Sequence, residues 1–337
     1  MTLTEKLLVW YEKNGRDLPW RVKGGAHHNP YEVWLSEIML QQTTVKTVIP
    51  YFQKFIAKFP DINALANAPL QDVLLLWQGM GYYTRAKKLH ECAKKVVKDY
   101  GGKFPDNRDE LKKLPGIGPY TSAAVASLGF NLPEAVIDGN VIRVLCRLKG
   151  WEEPVPLLTK KIEDLASSMV SQTRAADYSS AIMDLGATVC TPRSPVCEHC
   201  PWKEECVARK KNLTASIPNI RKPEKLEKNG YVFIILNKNN EILVRKRTEK
   251  GLLSGLTEFP WNTDNSFPFE NEWHVSEVKI SHTFTHFRLT LNAVTGHTEN
   301  ANFVPDGFFV PLNRLKDYPF STLMLKVFKK AKDAHLV

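Results

Sequence analysis

Four cysteines fall within seventeen residues, in the spacing Cys190-x6-Cys197-x2-Cys200-x5-Cys206. No other feature of the 337-residue chain constrains it as tightly. Four thiols so close in sequence can wrap one compact metal centre, and they do so with loop rather than with long helix or strand. Structural zinc favours paired CxxC or CxxC/HxxxH knuckles set apart by a finger. Here there is one CxxC with a single cysteine on each side, and the irregular spacing suits an iron–sulfur cluster better. Zinc stays open as the alternative. The crowding argues against a disulfide framework and for a reducing compartment. Cys92 and Cys146 stand apart in helical patterns and read as small core residues.

The length suggests about two domains. Residues 1–211 read as mostly helical, 212–229 as a linker rich in Lys, Arg, Pro and Asn, and 230–337 as a small α+β domain. Helical spacing is expected over Thr4–Tyr11, Leu70–Trp77, Thr84–Asp99, Tyr120–Leu128 and Val141–Leu148. The stretch Val33–Phe59 reads as helix broken at Pro50. Strands are expected at Tyr231–Leu236, Ile242–Arg245 and His286–Asn292, with a closing helix near Leu323–Ala331. The net charge of +10 fits a polyanionic partner, nucleic acid being the commonest. The polar start and the short apolar runs give no signal peptide and no membrane span. We therefore expect an intracellular, cytoplasmic protein.

Leu114-Pro-Gly-Ile-Gly-Pro-Tyr120 joins two helical segments. Gly116 and Gly118 permit backbone conformations closed to other residues. Pro119 suits a first helical turn, whose N–H groups could face a phosphate without regard to sequence. An ordinary turn between helices is the alternative. Glu37 sits in Trp34-Leu-Ser-Glu-Ile-Met-Leu-Gln-Gln-Thr43 among apolar residues. Partial burial would raise its pKa and keep a proton available, as a general acid needs, whereas a solvated helix Glu would do neither. Asp138 in Ala135-Val-Ile-Asp-Gly-Asn-Val141 precedes a helix and reads as an N-cap, a fixed anion, or both. Together the two could serve hydrolysis of a glycosidic bond, one protonating the leaving group and one facing an oxocarbenium-like centre.

Cys190-Thr-Pro-Arg-Ser-Pro-Val-Cys-Glu-His-Cys-Pro, Leu35-Ser-Glu-Ile-Met-Leu-Gln-Gln-Thr-Thr-Val45, Trp77-Gln-Gly-Met-Gly-Tyr-Tyr83, the Pro-Gly-Ile-Gly hairpin and Ile137-Asp-Gly-Asn-Val141 occur in an order that resembles the MutY family of helix-hairpin-helix DNA glycosylases. Gly251–Pro260 and Ser281–Phe287 are similar to the Nudix-like C-terminal domain of that family. The resemblance implies a mostly α glycosylase domain with an iron–sulfur module, followed by a Nudix-like lesion-recognition domain. It implies a [4Fe–4S] cluster on Cys190, Cys197, Cys200 and Cys206. Its implied substrate is duplex DNA with adenine mispaired with 8-oxoguanine or guanine, bound by a monomer. Glu37 would protonate the adenine, Asp138 would stabilise the sugar cation, and Tyr120, Asn140 and Arg21 would assist. Gln42, Tyr82 and Met80 would meet the base stack, and Gly116, Gly118 and Arg193 the phosphates. Base flipping follows from the chemistry, because a stacked base hides its glycosidic bond.

The endonuclease III branch carries a Schiff-base lysine where Tyr120 stands, so efficient strand cleavage is not expected here. The hydrolytic Nudix glutamates are missing, which leaves the second domain to recognise. Phe284, Thr285 and His286 stand where the family reads 8-oxoguanine, with Thr in place of Ser. Thr257 replaces a usual Trp, and the segment Asn262–Ser281 is short, as if a helix were trimmed. Ser180 replaces a Gln or Glu near the adenine pocket. The loop Val22–Asn29, with Gly24, Gly25, His27 and His28, is long, and its histidines read as solvated. Two rival readings remain: an endonuclease III-like pyrimidine glycosylase/lyase, and a non-catalytic DNA-binding protein with a redox-sensing cluster.

Overall fold

A computed structural model describes residues 1–22, 28–220, 224–249 and 251–337. They form two units, Met1–Asn67 with Lys88–Lys222, and Ala68–Lys87 with Pro223–Val337. The first is helical. Its helices are α1 (Leu3–Asn14), α2 (Pro30–Leu40), α3 (Val45–Lys58), α4 (Ile62–Asn67), most of α6 (Thr84–Tyr100), α7 (Arg108–Lys112), α8 (Pro119–Ala124), α9 (Gly139–Lys149), α10 (Val155–Met169), α11 (Ala175–Asp184) and α12 (Val207–Lys210). α5 (Leu70–Leu76) belongs to the second unit. α1 opens on a capping box in which Thr2 and Glu5 bond each other's backbone N–H. Asn29 caps α2, with Pro30 at its first position.

α2 is buried from Tyr31 to Met39 except at Glu32, so it runs through the core rather than along a surface. Its end corrects one expectation. The break before α3 is at Gln41–Thr44, where Gln42 has a φ of +59°, and α3 continues through Pro50. Pro50 lies on the exposed side of α3, while Val48, Phe52 and Phe55 bury the other face. That packing offsets a helix-interior proline cost of about 3 kcal/mol. Further along, α8 and α11 each continue into a wider π-type turn, Val125–Gly129 and Leu185–Val189. Ser127 and Ser179 share a 2.8 Å hydroxyl hydrogen bond between the two. The unit's core runs from Leu7 and Leu8 through Val144 and Leu145 to Tyr178, Ile182 and Trp202, and buries Cys146. Cys92 is buried as well.

The second unit is built on a mixed sheet of β1 (Leu226–Leu236), β2 (Glu241–Lys246), β3 (Thr257–Glu258), β4 (Trp261–Asn262), β5 (His274–Thr283), β6 (Phe287–His297) and β7 (Gly307–Pro311). The main path is β3-β2-β1-β6-β5, with β4 on β1 and β7 on β2. β1 starts at Leu226 rather than Tyr231, because Leu226–Gly230 pair in parallel with Phe287–Leu291 and need no apolar pattern to do so. α13 (Thr322–Asp333) buries Leu323, Met324 and Val327 against Val232, Ile234 and Leu291 on one face. Phe233, Ile235, Leu243 and Val294 pack under Phe269 and Trp273 on the other. No helix lies between Asn262 and His274. Thr257 is buried, and its N–H donates to the Pro319 carbonyl. Ala68–Lys87 joins this unit through Tyr83, whose hydroxyl donates to the Phe320 carbonyl at 2.9 Å, and through Lys87, which donates to Ser254 at 3.3 Å. Among the described residues no helix is long and apolar enough to cross a membrane.

Candidate active site

In the first unit a cavity of about 840 Å³ is lined by Glu37, Tyr120, Asp138, Asn140 and Arg21, with Gln42, Ser180, Met183 and His28 also on its wall. Five residues separated by up to 119 positions in the sequence, from Arg21 to Asn140, thus share one space. Glu37 is 4% exposed, which excludes the solvated helix glutamate. Burial pushes its carboxyl up from 4.5 to about 7, and the charge of Asp138 adds to the rise. The Tyr120 hydroxyl, which donates to Glu37 Oε2 at 2.7 Å, and the positive charge of Arg21 oppose it but do not win. Near neutral pH this carboxyl can therefore hold a proton and release it. Burial and the neighbouring carboxylates in turn hold the Tyr120 phenol well above its usual range.

Asp138 lines the same cavity. It is the N-cap of α9: Oδ1 accepts from the Val141 N–H at 2.7 Å, and Oδ2 accepts from Asn140 Nδ2 at 2.8 Å. The N-cap reading holds. Asn140 is held from behind by Arg143, whose Nη2 donates to Asn140 Oδ1 at 2.9 Å and to the Gly186 carbonyl at 2.7 Å. Arg143 Nε donates to the Cys190 carbonyl at 2.7 Å, so one guanidinium ties the cysteine loop to the Asp138 cap.

The sequence reading missed Asp184. It is fully buried and accepts from Arg16 Nε and Arg21 Nη1, both at 2.7 Å, and from the Arg16 N–H at 2.8 Å. The pair fixes Arg21 at the cavity and keeps its guanidinium charged despite burial, raising its pKa. Ser180, 1% exposed, bonds Tyr11 at the same wall. His28 lines the cavity half-buried rather than solvated, and burial lowers its pKa. Gly24, Gly25 and His27 lie outside the described residues.

The four cysteine side chains of the loop line one small cavity together with Arg147. Arg147 is 2% exposed and donates to the Thr191 and Pro192 carbonyls, at 2.7 and 3.0 Å, and to Cys190 Sγ at 3.4 Å. Burial raises the thiols of Cys197, Cys200 and Cys206, that of Cys200 to about 12. Four thiols on one cavity, with a buried guanidinium against a sulfur, fit a bound anionic thiolate cluster. Arg193 is exposed in the same loop. In the hairpin Gly116 has a φ of +76°, and a Cβ there would meet Lys88 Cβ at 2.8 Å, so two independent constraints require glycine. Gly118 precedes Pro119 as the N-cap of α8.

The remaining expected residues are in the second unit. Tyr82 is exposed with a φ of +51°, and Met80 is buried beside it. Phe284, Thr285 and His286 form the turn between β5 and β6, with Phe284 stacked on Phe287 and Thr285 Oγ1 3.3 Å from the Tyr82 hydroxyl.

Residues 35–170 match the model of the HhH-GPD superfamily of base excision DNA repair proteins, 231–330 that of the NUDIX domain, and 190–206 that of the iron-sulfur binding domain of endonuclease III. The adenine DNA glycosylase of Rattus norvegicus is 33% identical over 96% of this chain and 76% of its own. That of Buchnera aphidicola subsp. Acyrthosiphon pisum is 38% identical over 86% of this chain and 85% of its own. Among solved structures, a thermostable thymine-DNA glycosylase matches with a TM-score of 0.55 and 31% identity, over 62% of this chain and 95% of that one. An endonuclease III–DNA complex shares the fold with a TM-score of 0.52 and 23% identity, over 62% and 94%.

Proposed function

The chain belongs to the adenine DNA glycosylase family, and from that premise we propose that Glu37 and Asp138 divide the chemistry of adenine removal between them. The enzyme acts on DNA in base excision repair, removes adenine and carries an iron–sulfur cluster. The observation that carries the proposal is one cavity holding a carboxyl poised near pH 7 beside a carboxylate fixed by two donors. A flipped adenine enters the cavity. With Tyr120 donating to Oε2, the proton of Glu37 sits on Oε1 and passes to the base as the glycosidic bond breaks. Asp138 faces the sugar cation until water adds, and Asn140 holds that carboxylate in place. Arg21 supplies positive charge at the same wall. Tyr120 offers no amine for an imine, so base release proceeds without efficient strand cleavage.

Cys190, Cys197, Cys200 and Cys206 would hold a [4Fe–4S] cluster, which when bound braces the loop that carries Arg193 and, through Arg143, the Asp138 cap. Gly116, Gly118 and Arg193 would meet DNA phosphates, and Gln42, Tyr82 and Met80 the base stack. In the second unit Phe284, Thr285 and His286 would read the base opposite adenine, 8-oxoguanine or guanine. The enzyme would work as an intracellular monomer, with residues 1–211 carrying the chemistry and 230–337 the recognition.

The test is a duplex panel with A, T, C or G opposite 8-oxoguanine or guanine, treated with alkali after reaction. Cleavage at A alone is expected, with iron and labile sulfide in a four-to-four ratio per chain. Release of thymine would overturn the reading, and the likeness to a thymine-DNA glycosylase makes that arm necessary. That likeness covers 62% of the chain. The rat adenine enzyme covers 96%.

A further inference from the structure

Tyr82 adopts a left-handed backbone conformation that bulky side chains rarely hold unaided. The residue is 48% exposed, and Arg85 lies against it. The Arg85 guanidinium lies over the Tyr82 ring and over the Trp77 ring, 5.3 Å from each centroid. It donates to the Gly81 carbonyl at 3.2 Å and sits 3.5 Å from the Met80 carbonyl, bracing the turn that carries Tyr82. Trp77 closes the same turn from below, its indole N–H donating to Gly81 at 3.0 Å. Arg85 is 9% exposed, so it is badly placed to grip a DNA phosphate itself. Burial lowers its pKa to about 10, which leaves it charged at neutral pH. A lysine could not replace it. Its point charge cannot stack on two rings and bond the backbone at once.

We propose that Arg85 is a positioning residue that presets the Tyr82 ring for entry into the base stack, so that Tyr82 and the Phe284–His286 turn meet the duplex as one preassembled surface. The proposal rests on the reading of Tyr82 as a stacking residue. Its second leg is the placement of Ala68–Lys87 in the same compact unit as the C-terminal sheet, with Thr285 in reach of the Tyr82 hydroxyl. A ring held in place before binding enters the stack without first losing its rotational freedom.

The test uses the full-length, cluster-loaded protein in a cycle of Arg85→Lys, Tyr82→Ala and the double variant. Single-turnover adenine release is measured from duplexes with 8-oxoguanine or guanine opposite. A 2-aminopurine next to the opposite base reports ring entry by its fluorescence. Arg85→Lys is expected to cut the preference for 8-oxoguanine about tenfold and to weaken the fluorescence change. In the Tyr82→Ala background the same change should cost less than about twofold more, because Arg85 acts through that ring. Melting temperature and visible cluster absorbance serve as folding controls, with Arg85→Gln in reserve should the lysine variant lose either. A full Arg85→Lys loss on top of Tyr82→Ala, or no loss in the parent protein, sinks the proposal and leaves the stacking role of Tyr82 intact. A harmless Tyr82→Ala would remove that role, and this inference with it.

Discussion

Glu37 makes activity and stability respond to pH in the same sense, both falling as pH rises through 7. Its carboxyl rises from 4.5 to about 7 because burial disfavours the charged form. At about 1.4 kcal/mol per pKa unit, ionising it inside the folded protein costs about 3 kcal/mol. Because the folded pKa is the higher one, its contribution is fully present below pH 4.5 and is lost as pH rises through 7. Activity follows the same titration. Adenine release should be level below about pH 6 and should fall about tenfold per pH unit well above 7, as the protonated acid disappears. Glu37→Gln removes the acid and should lower release by a factor of about 100 to 10,000 at every pH. Its amide oxygen can still accept from Tyr120, and it cannot ionise. The variant should therefore be more stable than the parent by up to about 3 kcal/mol at pH 9, with little difference at pH 4.5.

The assay is a pair of melting curves for parent and variant at several pH values, beside single-turnover base release over the same range. Taking the difference between the two proteins cancels groups that titrate equally in both. With two compact units, the melting temperature of the helical unit is the quantity to follow. A stability gap that is the same at pH 5 and pH 9 would refute the buried, proton-holding carboxyl. So would a parent rate that stays flat to pH 9.

Tyr120→Phe removes a hydrogen bond that lowers the Glu37 pKa, so the alkaline limb of the pH–rate profile should move to higher pH, and an acidward move would contradict this. Asp138→Asn keeps an equally good N-cap but loses the anion. Release should drop by about a hundredfold or more while melting changes little, and a large fall in melting temperature would mean the residue matters chiefly as a cap. Asp184→Asn leaves Arg16 and Arg21 facing a neutral amide in a fully buried place. It should destabilise the helical unit by about 3 kcal/mol, and a neutral outcome in denaturant titration would show that the pair is dispensable.

What was legible in the sequence was local. The cysteine spacing, the Asp138 cap and the Gly116 turn each depend on residues within a few positions, so spacing alone points to them. The burial of Glu37 was not legible in the same way, since helical periodicity assumes a wet face and α2 has almost none. Asp184 was not legible, because its partners Arg16 and Arg21 lie 168 and 163 positions earlier. The helical spacing of Val141–Leu148 assigns no role to Arg143 and Arg147. They are buried struts between α9 and the cysteine loop. Gln42 and Tyr82 show the remaining gap. Both adopt positive φ, which sequence rules reserve for glycine and asparagine. Strained backbone in bulky residues persists only where neighbours over-determine it, and it concentrates at functional sites. Gln42 and Tyr82 are both residues the chain is expected to set against DNA, and beside Tyr82 lies Arg85, itself a charge buried against local preference.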